Sequence, residues 1–361
     1  MKEKKFVLAS LFTIIALLII CAATIIFVDP LFHYHKPLST LQYQLCDERY
    51  QNDGILRNFS YNAIITGTSM QENYKTSEFD EYFGTHSVKT CFSGADPKEI
   101  CDNINLALQR KSDVNTVFMG ICDGWQMDYF NNYYSDFPEY LYDNNVFNDV
   151  SYLFNKSIIL KYLGKNALLY TLKGNQTTSF DDYSNWDSSA VYGMKQTLTS
   201  YKKYWYKDAS ILSDNTMMTD DDYEFLKSNI EKNYIKMVQS NPNTTFYIYY
   251  NPFSILYFSF IRTEGNMEKT FEAWKYFAEQ MTKFENVQLY CFYDETDMIC
   301  NLDNYKDYLH HNTNINTQIL QWISNDSHII TSDNYKSYFA GIEDFYRNYN
   351  YDAIFADSKN S

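Results

Sequence analysis

Ser69 stands in the stretch Tyr61 to Met70, YNAIITGTSM, directly after a short apolar run that ends at Gly67. Far along the chain, in NLDNYKDYLHHN (301–312), Asp307 and His310 are separated by two residues. Positions i and i+3 of a turn or helix start share a face, so a carboxylate there can bond the imidazole of its own segment. A carboxylate that fixes the tautomer of an imidazole makes a general base, and a serine hydroxyl is what such a base activates for acyl transfer. Each piece also has a plain structural reading. Small residues after a strand commonly make a tight turn, and Asp307 can be a helix cap beside a surface histidine. The D-x-x-H spacing favours His310 as the base, with His311 left as the alternative.

For that chemistry the two segments must be carried to one edge of a sheet. Ala63 to Thr66 has the continuous apolar character of a buried parallel strand. Ser87 to Phe92, Val114 to Ile121, Asn243 to Tyr250 and Val287 to Tyr293 follow as four more. Asp96-Pro97-Lys98-Glu99 reads as a helix start with a capping box, and Ile100, Ile104, Ala107 and Leu108 supply an apolar face. Tyr223, Leu226, Ile230, Tyr234 and Met237 keep helical spacing behind a Thr219 cap. Met267, Phe271, Trp274, Ala278 and Met281 do the same, and Ile315, Ile319 and Trp322 continue a helix after the D-x-x-H segment. Alternation of strands and helices predicts an α/β domain with a central parallel five-stranded sheet, and reactive groups belong at the C-terminal ends of its strands.

The chain begins with three lysines in Met1 to Lys5, and no charged residue occurs from Phe6 to Val28. Those 23 residues reach about 34 Å as a helix, enough to cross a bilayer. No small-x-small cleavage site precedes Asp29-Pro30, so the segment reads as a signal anchor and not as a removed leader. The positive-inside rule puts Met1 in the cytoplasm and the remainder outside, a cell-membrane protein with one span. A net charge of −15 argues against nucleic acid and against a strong hold on anionic lipid surfaces. The 35 Tyr and 26 Phe suit sugar stacking, but the plentiful Asn, Ile and Lys favour codon bias. Six cysteines lie beyond Cys21 without metal-type spacing, so neither a disulfide framework nor a metal site is expected. His33 and His35 in FHYHKP lack a supporting carboxylate or cysteine cluster and make a poor metal site. No cofactor is expected.

The organisation expected is therefore an anchor (1–28), a juxtamembrane segment (29–60), a catalytic domain (61–330) and a C-terminal extension (331–361). Within the domain, 124–219 is rich in Tyr, Asn and Asp, carries one helix-like patch from Val150 to Leu163, and reads as an insertion at the C-terminal edge of the sheet.

A serine after the first strand, a glycine after the second, G-x-x-D after the third and a late D-x-x-H resemble the block pattern of SGNH (GDSL-type) hydrolases. With the N-terminal span, the phrases DPLFHYHKP, GTSMQENYK and NYKDYLHHN are similar to membrane-anchored members of bacterial cell-envelope polysaccharide systems. The teichoic-acid D-alanyl transfer and alginate acetylation proteins are distant relatives of that arrangement. The resemblance covers about 29–330 and implies a three-layer α/β/α domain. It makes Ser69 the nucleophile, His310 the base and Asp307 its orienting acid, and it makes Gly94 an oxyanion donor beside the Ser69 N–H. The chain departs from the pattern at Thr68, where an aspartate is usual, and at Cys122, where an asparagine donor is usual. Either Asn251 or a backbone amide replaces that donor or the enzyme is slow, and Asp123 carries no catalytic role beyond shaping the pocket. Two functions remain open: acyl-ester chemistry on a cell-surface polysaccharide, as O-acyltransferase or esterase, and a catalytically degenerate glycan-binding or assembly subunit. The transferase reading brings in a multi-span membrane partner that delivers the acyl group. Trp125, Tyr133, Tyr134 and Trp186 are the candidate glycan-stacking rings, with ordinary core packing as their plain reading.

Overall fold

Apolar strand runs with no room for polar alternation demand cover on both faces, and the sheet receives it. The computed structural model describes residues 2–121, 132–204 and 217–357. These form two units, Tyr61–Tyr134 with Asn185–Ser361, and Met1–Ser60 with Ser135–Ser184.

In the first of these, β1 (Ala63–Thr66), β2 (Ser87–Lys89), β3 (Thr116–Ile121), β4 (Thr245–Tyr250) and β5 (Val287–Cys291) pair in parallel in the order 2-1-3-4-5. The expected five parallel strands are joined by a sixth. β6 (Ile329–Ile330) pairs antiparallel with β5, Leu289 opposite Ile330, and makes the edge. Alternation along the strands divides the core. Ala63, Ile65, Phe118, Tyr249 and Tyr290 pack with Phe79 of the helix Thr76–Phe83 and with Ile319 and Ile323 of the helix Thr313–Ser324. On the other face Tyr250 meets Trp274 and Phe277 of the helix Met267–Met281, and Phe339 of the helix Tyr335–Asn348. The supposed C-terminal extension thus closes the sheet's second face, with Tyr346 stacked on Phe258 at 3.6 Å between ring centres.

Thr219 caps its helix with a full capping box to Asp222. The box expected at Asp96 does not form. Asp96 accepts from the Asn132 N–H at 3.1 Å and Glu99 from the Tyr134 N–H at 3.4 Å, so both carboxylates hold the incoming 132–134 chain.

The second unit carries the helix Lys2–Val28, the one described helix long and apolar enough to cross a membrane. Asp29 ends it at φ +46°, and its carboxylate accepts the backbone N–H groups of His33, Tyr34 and His35 and the Tyr152 hydroxyl at 2.7–2.9 Å. His33 pairs with Asp149 at 3.2 Å, while both ring nitrogens of His35 face the carbonyls of Lys36 and Ile26. The stretch expected to be one insertion, 124–219, is divided: 135–184 belongs with 1–60. Its Val150–Leu163 patch is two pieces, a turn of helix at Val150–Leu153 and a π-helix at Ile158–Leu169.

Candidate active site

Strand order reverses beside β1, and the crevice at such a switch point is where open parallel sheets bind ligands. The Ser69 turn leaves β1 there. Gly67 adopts φ +142°, and a Cβ on it would lie 2.1 Å from Oε1 of Gln71. A Cβ on Gly120, at the end of β3, would lie 2.0 Å from Nε2 of the same side chain. The two glycines therefore make the slot that Gln71 fills. Its Oε1 accepts the Thr68 N–H at 2.9 Å, and its Nε2 donates to the Tyr249 hydroxyl and to Oδ1 of Asn251 at 2.8 and 2.7 Å. This buried amide pins the Ser69 turn to β4. Lys89, buried on β2, donates to the carbonyls of Glu72 and Tyr74 and holds the descending side of the turn.

The D-x-x-H segment is a hairpin loop, not a helix start. Tyr305 and His311 form an antiparallel bridge, and the Lys306 N–H donates to the His310 carbonyl at 3.0 Å. Within the loop Oδ1 of Asp307 accepts the backbone N–H groups of Leu309 and His310 at 2.9 and 2.8 Å, an Asx-type closure. The Tyr305 hydroxyl donates to Pro252 O and the Ser254 hydroxyl to Tyr308 O, fastening the loop beyond the end of β4.

Across 241 positions the two segments meet. Oγ of Ser69 lies 2.8 Å from Nε2 of His310, and Nδ1 of His310 lies 2.9 Å from Oδ2 of Asp307. Burial alone would raise the Asp307 carboxyl. The His310 hydrogen bond and charge, with the two loop amides, outweigh it and hold the group below its ordinary range. An ionised Asp307 makes Nδ1 the protonated nitrogen, so Nε2 presents a lone pair to the serine hydroxyl. His311 turns into the core, where burial pushes its imidazole down to about 4, and it takes no part in the cluster. Of the two histidines, it is His310 whose ring reaches Ser69.

Trp186 joins the cluster. Its indole N–H donates to the Ser69 carbonyl at 3.2 Å, and its ring stands edge-on to His310 with centres 5.3 Å apart. Lys306 lies 3.6 Å above the same ring, so one face offered for sugar stacking already carries a cation. Burial lowers the Lys306 ammonium, partly offset by Asp307 and Glu72. Tyr133 and Tyr134 are held on the helix Pro97–Arg110: the Tyr133 hydroxyl bonds Asp102 and Lys98, and Tyr134 is anchored through its N–H to Glu99. Trp125, Cys122 and Asp123 lie outside the described residues.

Phe92 N–H pairs with Gly67 O and brings Ser93-Gly94, the expected oxyanion donor among them, alongside the Ser69 turn. Gly94 is exposed at φ +64°, and neither its N–H nor that of Ser69 donates to a described residue. Asn251 does not serve as the replacement donor. Its Nδ2 donates to Ile121 O at 2.7 Å and its Oδ1 accepts from Gln71, in a position 2% exposed. Gln71, Lys306 and Lys89 belong to the surroundings of this cluster without a motif or spacing of their own that marks them in sequence. The signal for Gln71 lies instead in the pair of glycines ending β1 and β3, which marks a space something polar must fill.

Among the described residues no group of three His, Cys, Asp or Glu side chains is placed to hold a metal ion. Comparison with known proteins gives no matching family model, no matching curated protein and no matching solved structure.

Proposed function

We propose that the chain is a membrane-anchored serine enzyme of acyl-ester chemistry, an O-acyltransferase or esterase acting on a cell-surface polysaccharide. The observation that carries this is the hydrogen-bonded series Ser69–His310–Asp307. His310 takes the hydroxyl proton as Oγ of Ser69 attacks an acyl carbonyl, and the leaving alcohol departs with that proton, leaving acyl-Ser69. A sugar hydroxyl or water then gives its proton to His310 and attacks the acyl carbon, and His310 returns that proton to Oγ of Ser69 as the acyl–serine bond breaks. The N–H groups of Ser69 and Gly94 are the donors for the developing oxyanion. The resemblance to envelope-modifying SGNH proteins and the anchor favour a glycan acceptor outside the cell and a multi-span acyl donor partner. Trp186, beside the base, is the ring best placed to bear on an acceptor.

The test is reaction of the purified full-length protein with a fluorophosphonate, read by intact mass. A single adduct that Ser69→Ala abolishes is expected. A folded wild-type protein that stays unlabelled overturns the proposal and leaves the glycan-binding subunit in its place.

A further inference from the structure

The anchor helix does not stand clear of its own unit. Cys21 Sγ lies 3.9 Å from the Leu153 carbonyl, and Ile25 and Val28 are buried with Ile158, Tyr162, Leu163 and Ala167. Cys21 is seven residues before the helix end, about 10 Å along the axis. The 15 residues from Phe6 to Ile20 reach only about 22 Å, short of a hydrocarbon core of about 30 Å. The turns from Cys21 to Ile25 therefore complete the span, and whatever clads them sits at the depth of the bilayer surface.

The π-helix Ile158–Leu169 is that cladding, and its outward side suits the position. Its winding brings residues back to one side roughly every four to five positions. Ile158, Tyr162 and Ala167 face inward, while Leu160 is 60% exposed, Leu168 and Leu169 are 38% and 43%, and Leu172 just beyond is 83%. Residues 150–180 contain four lysines and no acidic residue, in a chain of net charge −15. Lys161 is paired with Asp47, but Lys156, Lys165 and Lys173 are exposed and make no ion pair among the described residues. Leucines flanked by free lysines are the composition of an interfacial helix on anionic lipid.

We infer that Ile158–Leu169 with Leu172 lies in the headgroup region of the bilayer that the anchor crosses. The leucines enter the acyl boundary, and Lys156, Lys165 and Lys173 bind anionic headgroups. This second attachment fixes the unit against the membrane where a lone helix would leave it to swivel. It rests on reading Lys2–Val28 as the span.

The experiment places a fluorescent non-natural residue at Leu172, and separately at Ile14 as a reference, in the full-length chain in phosphatidylglycerol-containing nanodiscs. Lipids spin-labelled near the headgroup should quench the probe at 172, and aqueous iodide should not. Replacing the three lysines by glutamine should weaken surface occupancy by about fivefold per lysine. A probe at 172 quenched by iodide alone, or shielded from both quenchers as against a second copy, overturns the inference. Lipid quenching untouched by the glutamine substitutions overturns the headgroup recognition. Absence of quenching at Ile14 by lipids spin-labelled deep in the acyl chain marks failure of the span itself, a result separate from these.

Discussion

Asp307→Asn isolates the tautomer from the fold. In the native loop Oδ1 accepts the N–H groups of Leu309 and His310, and Nδ1 of His310 lies 2.9 Å from Oδ2 and 3.0 Å from that same, already engaged Oδ1. Asparagine keeps its carbonyl oxygen on the two amides, because its NH₂ has nothing to donate to there. The NH₂ is then forced toward Nδ1. An imidazole facing a donor at Nδ1 carries its proton on Nε2, and Nε2 can no longer accept from the Ser69 hydroxyl. The loop closure survives, and the imidazolium loses its counter-charge. By the behaviour of Ser-His-Asp triads the rate of serine acylation should fall about 10³- to 10⁴-fold, about 4–5.5 kcal/mol in transition-state energy. The assay is the second-order rate of fluorophosphonate adduct formation, with near-native thermal unfolding as the control. A variant within about threefold of wild type at unchanged stability would refute the assignment of Asp307 as the residue that orients His310.

Gly120→Ala drives a methyl group into Gln71 Nε2 and Asn251 Oδ1, so it should cost about 1–3 kcal/mol by denaturant unfolding and slow Ser69 acylation as the turn shifts. His311, buried neutral with its value near 4 against about 6.5 unfolded, makes the unfolded chain bind the extra proton in between. Stability is therefore complete above pH 6.5 and falls by about 3 kcal/mol as pH drops to 4; in His311→Gln that segment of the pH–stability curve should flatten.

The strands and the long helices were legible because each was specified locally. Apolar runs marked β1 to β5, and helical spacing marked Met267–Met281 to the residue. The antiparallel β6 was not, since two isoleucines after a turn carry no periodicity and pair only because β5 leaves an open edge. The missing capping box at Asp96 failed for a tertiary reason: the 132–134 chain competes for both carboxylates, and no local rule registers it. The site followed the same division. Ser69 alone reads as a tight turn and Asp307-x-x-His310 alone as a cap beside a surface histidine; only their order among the blocks of the resemblance singles the three out. The parts that aim them, Gln71 in its glycine slot and Trp186 between His310 and Lys306, are defined by neighbours distant in the chain. Asn251 was misjudged for that reason, because a free donor and a buried strand tie look alike in sequence.

The Gln71 clip also bears on the missing third oxyanion donor. In an open turn the N–H of Thr68 would compete for the space above β1, and the amide of Ser69 would be free to rotate away from the cleft. Here Gln71 takes the Thr68 N–H, Trp186 takes the Ser69 carbonyl, and the peptide between Thr68 and Ser69 is fixed at both ends. Its N–H has no partner among the described residues, and the Phe92–Gly67 bond brings Ser93-Gly94 to the same turn. Donors that need no reorganisation contribute more per hydrogen bond than donors that must be ordered during the reaction. On the proposed acyl-transfer reading, a Ser69 donor held this way would offset part of what an asparagine would have supplied, through a glutamine and a tryptophan that need not touch the substrate.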